Sequence, residues 1–160
     1  MKIKQNKTMD TKDRRILELL QQNAMLTAAE LAEEVGLTTT PCWRRIQKLE
    51  EQGYIKARVA LLDRPKMNVG TTVFVAVRTS RHSDEWLRRF TDAVRSMPEI
   101  VEAHRLSGDT DYMLRIVVPD IKEYDRVYQK LIRELEFLDV SSSFSMEELK
   151  STTAIPVQHA

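Results

Sequence analysis

The stretch Leu37–Gly53, LTTTPCWRRIQKLEEQG, decides how this chain is read. Cys42, Ile46 and Leu49 recur at helical spacing and can face a core. Thr39, Thr40, Trp43, Arg44, Gln47 and Lys48 fall on the remaining surface. That surface mixes cations with hydrogen-bonding and apolar groups, the chemistry needed against phosphates and base edges. A merely solvated helix more often carries Glu–Lys pairs there and no Trp.

The residues upstream supply a partner helix. Thr27-Ala28-Ala29-Glu30 has the capping-box form, so a helix is predicted to start at Thr27, with Ala28, Leu31, Ala32 and Val35 as its apolar stripe. Gly36 can end that helix in a left-handed conformation. Thr38 is then a second N-cap, and Pro41 sits in the first turn of the next helix, where its missing N–H costs little. A short helix, a glycine turn and a second helix with an exposed cationic face make a helix-turn-helix. A plain antiparallel helix pair within a core is the alternative these residues leave open.

Working outward, a first helix is predicted over Asp10–Gln22, with Ile16, Leu17 and Leu20 buried. Gly53 stops the third helix. Tyr54–Leu62, YIKARVALL, reads as extended, and a strand pair at this place is the wing of a winged helix. Asp63–Asn68 is a polar, proline-containing break. The division expected is therefore residues 1–62 as a DNA-binding domain, 63–71 as a linker and 72–160 as a second domain.

The second domain has a clear order. Thr72–Thr79 is β-branched and almost wholly apolar, hence a buried strand. Ser83–Met97 is a helix with its stripe at Trp86, Leu87, Phe90, Val94 and Met97, ended by Pro98. Ile100–Ser107 is a strand, Gly108-Asp109-Thr110-Asp111 a turn, and Tyr112–Val118 the return strand. Asp120 caps a helix whose stripe is Ile121, Tyr124, Tyr128, Leu131 and Leu135. In Val140–Met146, Val140, Ser142, Phe144 and Met146 alternate with Ser141, Ser143 and Ser145. The order βαββαβ is ferredoxin-like, so the fold class expected is α+β. Such a sheet has one face without helices, and the apolar first strand suggests that a second copy of the chain covers it.

Composition sets bounds. The 160 residues include 42% apolar and 31% charged residues, as in a globular protein, with no run of 18 apolar residues that would suggest a membrane span. The N-terminus has lysines but no apolar core of a secretory signal. One cysteine, Cys42, excludes an internal disulfide and fits a reducing cytoplasm; its place on an apolar helix face reads as a small buried hydrophobe. Net charge is only +1, but residues 1–62 carry 11 Lys+Arg against 8 Asp+Glu, while 63–160 carry 14 against 16. Affinity for DNA would have to come from local placement and dimerisation.

Catalytic constellations are sparse. His82, His104 and His159 are far apart and have no metal-ligand spacing with Cys42, so no metal is expected. Asp109 and Asp111 could serve an amine or a metal, or simply a tight hairpin turn. Trp43 could insert against DNA or pack across the helix pair. Arg44 and Arg45 lie about 100° apart on a helix, so one of them can cover the protein's own surface.

Asp13-Arg14-Arg15-Ile16-Leu17, Leu37–Cys42, Leu49-Glu50 with Gly53-Tyr54-Ile55, and Gly108-Asp109-Thr110-Asp111-Tyr112 together resemble the leucine- and asparagine-responsive transcription regulators, the Lrp/AsnC or feast/famine family, over about Met9–Pro156. The resemblance implies a winged helix joined to a βαββαβ (RAM/ACT-like) effector domain, dimers through the sheet, and assembly to octamers. It implies DNA contacts by Thr38, Thr39, Thr40, Trp43, Arg44 and Lys48 on a roughly palindromic operator. It further implies a free amino acid near Gly108, Asp109, Asp111 and Tyr112 at the contact between dimers, with Ser141, Ser142 and Ser143 nearby. Thr-Thr-Thr-Pro-Cys-Trp and Ser-Ser-Phe-x-Met-Glu are closest to a subgroup that includes cysteine-responsive activators, which makes cysteine a first guess. The function expected is an amino-acid-responsive regulator without a cofactor, in the cytoplasm on the nucleoid. Two others are weighed against it: an architectural DNA-wrapping protein, and a sirohaem-decarboxylase-like enzyme of the same architecture, against which the cationic recognition helix and the few histidines argue.

Overall fold

The computed structural model describes residues 9–81 and 83–160; His82 lies outside them. The chain forms two compact units, residues 9–60 together with Lys150–Ala160, and Leu61–Leu149. In the first, α1 spans Thr11–Gln22, α2 Ala28–Val35 and α3 Thr39–Glu51. In the second, the order is β1 Thr71–Arg78, α4 Asp84–Ser96, β2 Ile100–Arg105, β3 Tyr112–Val118, α5 Ile121–Glu134 and β4 Asp139–Phe144.

The first two helices start where a side chain can take up an orphan N–H. Asp10 accepts from the Asp13 backbone N–H at 2.8 Å. Thr27 and Glu30 form the reciprocal capping box, and the Thr27 N–H holds the Glu30 carboxyl below the usual carboxylate range. Gly36 ends α2 at φ 61°, a left-handed conformation that glycine takes without strain. Pro41 is the third residue of α3, where no intrahelical N–H is required. The core gathers Ile16, Leu17 and Leu20 with Leu31, Ala32, Val35, Cys42, Ile46 and Leu49. Cys42 is fully buried, and burial pushes its thiol pKa up, so it remains a packed, unreactive group. Leu19 and Val157 are also in this core, which the helical stripe alone does not indicate.

Arg45 settles which of the two adjacent arginines serves the fold. Its guanidinium reaches Asp10 at 2.5 Å and Asp13 at 2.7 Å, tying α3 to the first turn of α1. Tyr54–Leu62, expected as a wing strand, forms no strand: none of the four strands pairs with it, and Val59, Leu61 and Leu62 are exposed. A ladder needs a neighbour, and high β-propensity does not supply one.

The second unit is a four-stranded antiparallel sheet ordered β2-β3-β1-β4. Val73, Val75 and Val77 lie opposite Ile116, Leu114 and Tyr112, and all six pack with Trp86, Phe90, Leu131 and Leu135 of the helix layer. Two details differ from the sequence reading. Ile121 is exposed and Val127 is buried instead, because Ile121 stands in the first turn, at the edge of the layer. Met146 lies beyond the end of β4 and is exposed. On the other face, Phe74 lies opposite Arg115, Ala76 opposite Met113 and Arg78 opposite Asp139, and Arg115 donates to Glu102 at 2.6 Å. The apolar run of β1 thus divides between two environments: its valines belong to the chain's own core, and Phe74 and Ala76 belong to the open face.

Two outcomes follow for stability. Arg45→Ala should cost about 0.5–1 kcal/mol, since the ion pairs are partly solvated. The Asp13 N–H and the Arg45 guanidinium hold the Asp10 carboxyl below its ordinary range. Its contribution is therefore present above about pH 4 and is lost as pH falls below that. Thermal melts at pH 7 and pH 3 should show a smaller acid-side loss in Arg45→Ala than in the parent. Val75→Asp should prevent the second unit from folding, because it places an unpaired charge in the core; a cooperative melt of that unit in circular dichroism would contradict the inward assignment.

Candidate DNA-binding surface and effector hairpin

With Cys42, Ile46 and Leu49 sunk into the core, α3 presents two adjacent rows outward. Thr40, Arg44 and Lys48 stand at i, i+4, i+8; Thr39, Trp43 and Gln47 stand beside them. Each row runs about 12 Å along the helix axis, comparable to the width of a major groove. Trp43 is 52% exposed, so its ring is available at the surface. Thr38 is the N-cap by backbone conformation, yet its side chain makes no capping hydrogen bond. All six residues expected to touch DNA thus stand at the surface of one element and its cap. The segment after α3 is held back by Arg58, which donates to Glu50 at 2.9 Å and to the Ala24 carbonyl at 3.2 Å.

The hairpin between β2 and β3 is built differently. Gly108 has φ 119°, a conformation that itself requires glycine, and open space surrounds its missing Cβ. The Asp111 carbonyl accepts from the Leu106 N–H at 2.8 Å, and its own N–H donates to the Val77 carbonyl at 3.0 Å. Its Oδ2 accepts from the Thr79 N–H at 2.8 Å. Asp111 therefore clips the hairpin to the end of β1. Thr79, buried and bracketed by its own hydroxyl contacts with Arg81, is the residue that sequence reasoning missed here; nothing in the spacing connects positions 32 residues apart.

The remaining candidates do not converge within one chain. Asp109 is exposed at the turn. Tyr112 is buried, its ring 4.5 Å from Phe90 and 5.6 Å from Trp86, so it anchors the hairpin from the core side. Ser141 and Ser143 lie opposite Ala76 and Phe74, on the open face. Ser142 faces the helices, where its hydroxyl meets the phenol of Tyr124; burial pushes the Tyr124 pKa up. The three serines thus occupy two faces of one strand, and β1 separates that strand from β3 by about 10 Å in total. Arg78 and Asp139, paired across β1 and β4, lie nearer the hairpin end than any of the serines. Among the described residues, no group of His, Cys, Asp or Glu is placed to hold a metal, and no helix is long and apolar enough to cross a membrane.

Residues 9–56 match the family model for winged helix-turn-helix DNA-binding, and residues 72–155 match that for the Lrp/AsnC ligand binding domain. The chain is 50% identical over 149 residues to a glutamate uptake regulatory protein of Zymomonas mobilis, covering 93% of this chain and 91% of the relative. It superposes with a TM-score of 0.91 on an AsnC family transcriptional regulator from Agrobacterium tumefaciens, at 56% identity over 94% of this chain and 99% of that one. It superposes with a TM-score of 0.90 on a Neisseria meningitidis transcriptional regulator solved as a complex with L-Met, at 35% identity over 95% and 99%.

The two outward rows of α3 carry a direct expectation. Arg44→Ala and Lys48→Ala should each weaken operator binding without lowering the melting temperature. Each should also flatten the salt dependence by about one unit of slope for every phosphate that is no longer neutralised. Thr40→Ala should instead change which operator sequences are preferred. Unaltered affinity in both cation variants, measured by fluorescence anisotropy across a salt series, would remove this face from the interface.

Proposed function

The chain belongs to the Lrp/AsnC family of transcriptional regulators, and on that premise we propose that it reads a roughly palindromic operator through α3 and senses a free amino acid at the β2–β3 hairpin. The observation that carries the DNA half is the alignment of Thr40, Arg44 and Lys48 in one exposed row beside Thr39 and Trp43. Thr38 adds an uncommitted hydroxyl at the helix start. The unit of residues 9–60 with Lys150–Ala160 takes the DNA role and the unit Leu61–Leu149 the effector role; the stretch expected as a linker, 63–71, lies inside the second unit and runs into β1. The work is regulation rather than catalysis, carried out in the cytoplasm on the nucleoid and without a cofactor. An architectural DNA-wrapping role is the alternative that footprinting with and without amino acids would separate.

An amino acid offers an ammonium and a carboxylate. The second oxygen of Asp111, the Asp109 carboxylate and hairpin carbonyls are acceptors for the ammonium; N–H groups around Gly108 are donors for the carboxylate. The serine strand can join only from another copy or through Ser141 and Ser143 of the open face, which supports a pocket closed between dimers. Cysteine is the first candidate from the sequence; the names of two relatives point to glutamate uptake and to L-Met for those proteins. A thermal-shift screen of the twenty amino acids decides, since a ligand at 100 times its dissociation constant stabilises by about 2.7 kcal/mol.

The dimer proposed uses the open sheet face, where Phe74 lies opposite Arg115 of the Arg115–Glu102 pair and Ala76 lies opposite Met113, and it assembles further to an octamer. Effector binding would shift the balance between assemblies that hold the recognition helices at different spacings.

Two substitutions test these readings. Asp111→Asn keeps an oxygen to accept from Thr79 but removes the charge, so it should raise the effector's dissociation constant by about tenfold, roughly 1.4 kcal/mol, with little change in melting temperature. If calorimetry finds the same dissociation constant, Asp111 is a turn residue only. Phe74→Asp should leave the fold intact and yield a smaller particle in light scattering; an unchanged mass would count against the sheet-mediated dimer.

A further inference from the structure

The last residues of the chain pack with the DNA-binding unit. Val157 is buried in the same core as Ile16, Leu31 and Ile46, although every residue around it in the segment 150–160 is exposed. The backbone of Ile155 is held at both groups by one side chain: its N–H donates to Gln21 Oε1 at 2.7 Å, and its carbonyl accepts from Gln21 Nε2 at 3.1 Å. An extended residue points its N–H and C=O to the same side, so one amide can engage both as a neighbouring strand would. Pro156 favours that extended state at the residue before it. Further on, the Ala160 carbonyl accepts from Arg14 Nη2 at 2.7 Å. Arg14 and Gln21 are seven residues apart, two turns along one side of α1, and Glu18 lines the cleft between them.

We propose that Ala154–Ala160 is a strap of the DNA-binding unit, seated in cis in a peptide slot on α1, extended at Ile155 and closed by a turn in which the Ala160 N–H donates to the Val157 carbonyl at 3.2 Å. The slot consists of one apolar hole for Val157, one amide that reads backbone, and one guanidinium at the far end. It braces α1, and α1 in turn holds α3 through Asp10, Asp13 and Arg45. Only one side chain of the strap is buried, so it detaches far more readily than the core opens. The chain passes between its two units at residues 60–61 and again at 149–150; the second passage leads directly into the strap, giving the effector-bearing unit a second covalent route to α1.

Hydrogen exchange on the full chain tests this, read on peptides covering Thr11–Gln22, with peptides covering Thr71–Arg78 as internal reference. Val157→Asp should raise exchange in α1 by about tenfold or more while leaving β1 as in the parent, and operator affinity should fall several-fold. Gln21→Ala, which removes only the amide, should give a smaller change in the same direction and keeps the test alive if Val157→Asp does not fold. Thr153→Ala, an exposed residue of the same segment, should change neither readout. Parental protection of α1 in both Val157→Asp and Gln21→Ala overturns the strap. Protection of α1 that falls on dilution of the parent chain overturns the cis assignment, because the segment would then come from a second copy.

Discussion

Everything the recognition helix can do depends on three buried side chains. Cys42, Ile46 and Leu49 form the stripe of α3 that enters the core, and successive residues turn by about 100°. Sinking that stripe therefore orients both outward rows without any further instruction. Arg45 stands at the margin of the stripe, and its two ion pairs resist rotation of α3 about its own axis. Asp10 has a double duty in this arrangement: one oxygen starts α1 and the other holds α3. Because the pairs are partly exposed, they add orientation more than stability; the stability comes from the apolar core beneath them.

How much of this is legible in the sequence follows from which interactions are local. Caps are local, so Asp10, Thr27, Ser83 and Asp120 announce the starts of four helices within a residue. Periodicity is local too, and it identifies the core-facing residues of α2, α3 and most of α4. The failures involve partners distant in sequence. YIKARVALL has strand composition, but pairing depends on what lies beside it, which no window of residues contains. β1 is apolar on both faces, so alternation cannot tell core valines from the open face. Val157 reaches the core of a unit whose helices end about a hundred residues earlier, and a lone valine in a polar tail carries no signal at all. At the candidate sites, the exposed face of α3 is readable from one helix. The hairpin is readable as a motif but not as a geometry, since Asp111 finds Thr79 across the sheet and the serines alternate between faces.

The hairpin shows why a structural and a binding role need not exclude each other. A carboxylate has about four acceptor sites, and Asp111 commits one oxygen to the Thr79 N–H. That bond orients the group and confines its rotamer, which lowers the entropic cost if the second oxygen meets a ligand. Gly108 is similar. Its φ of 119° is a reason for glycine that needs no ligand, yet the same absence of Cβ leaves the turn's N–H groups open to approach. Residues of this kind look conformational when viewed alone and chemical when viewed with an amino acid in place.

Charge bears on what the proposed assembly would contribute. With a net charge of +1, bulk attraction to DNA is negligible, so on the proposed reading affinity would rest on the few cations that α3 sets outward. Arg45 is not among them, being committed to Asp10 and Asp13, which leaves Arg44 and Lys48 on each helix. Two phosphate contacts release few counterions and give weak, salt-sensitive binding. A second helix on the same duplex contributes as an intramolecular event, at an effective concentration set by the geometry of the pair. Affinity then depends on how the helices are spaced rather than on how strongly each one binds. An effector that alters spacing by rearranging an assembly can therefore change occupancy of an operator without touching a single residue of the recognition helix.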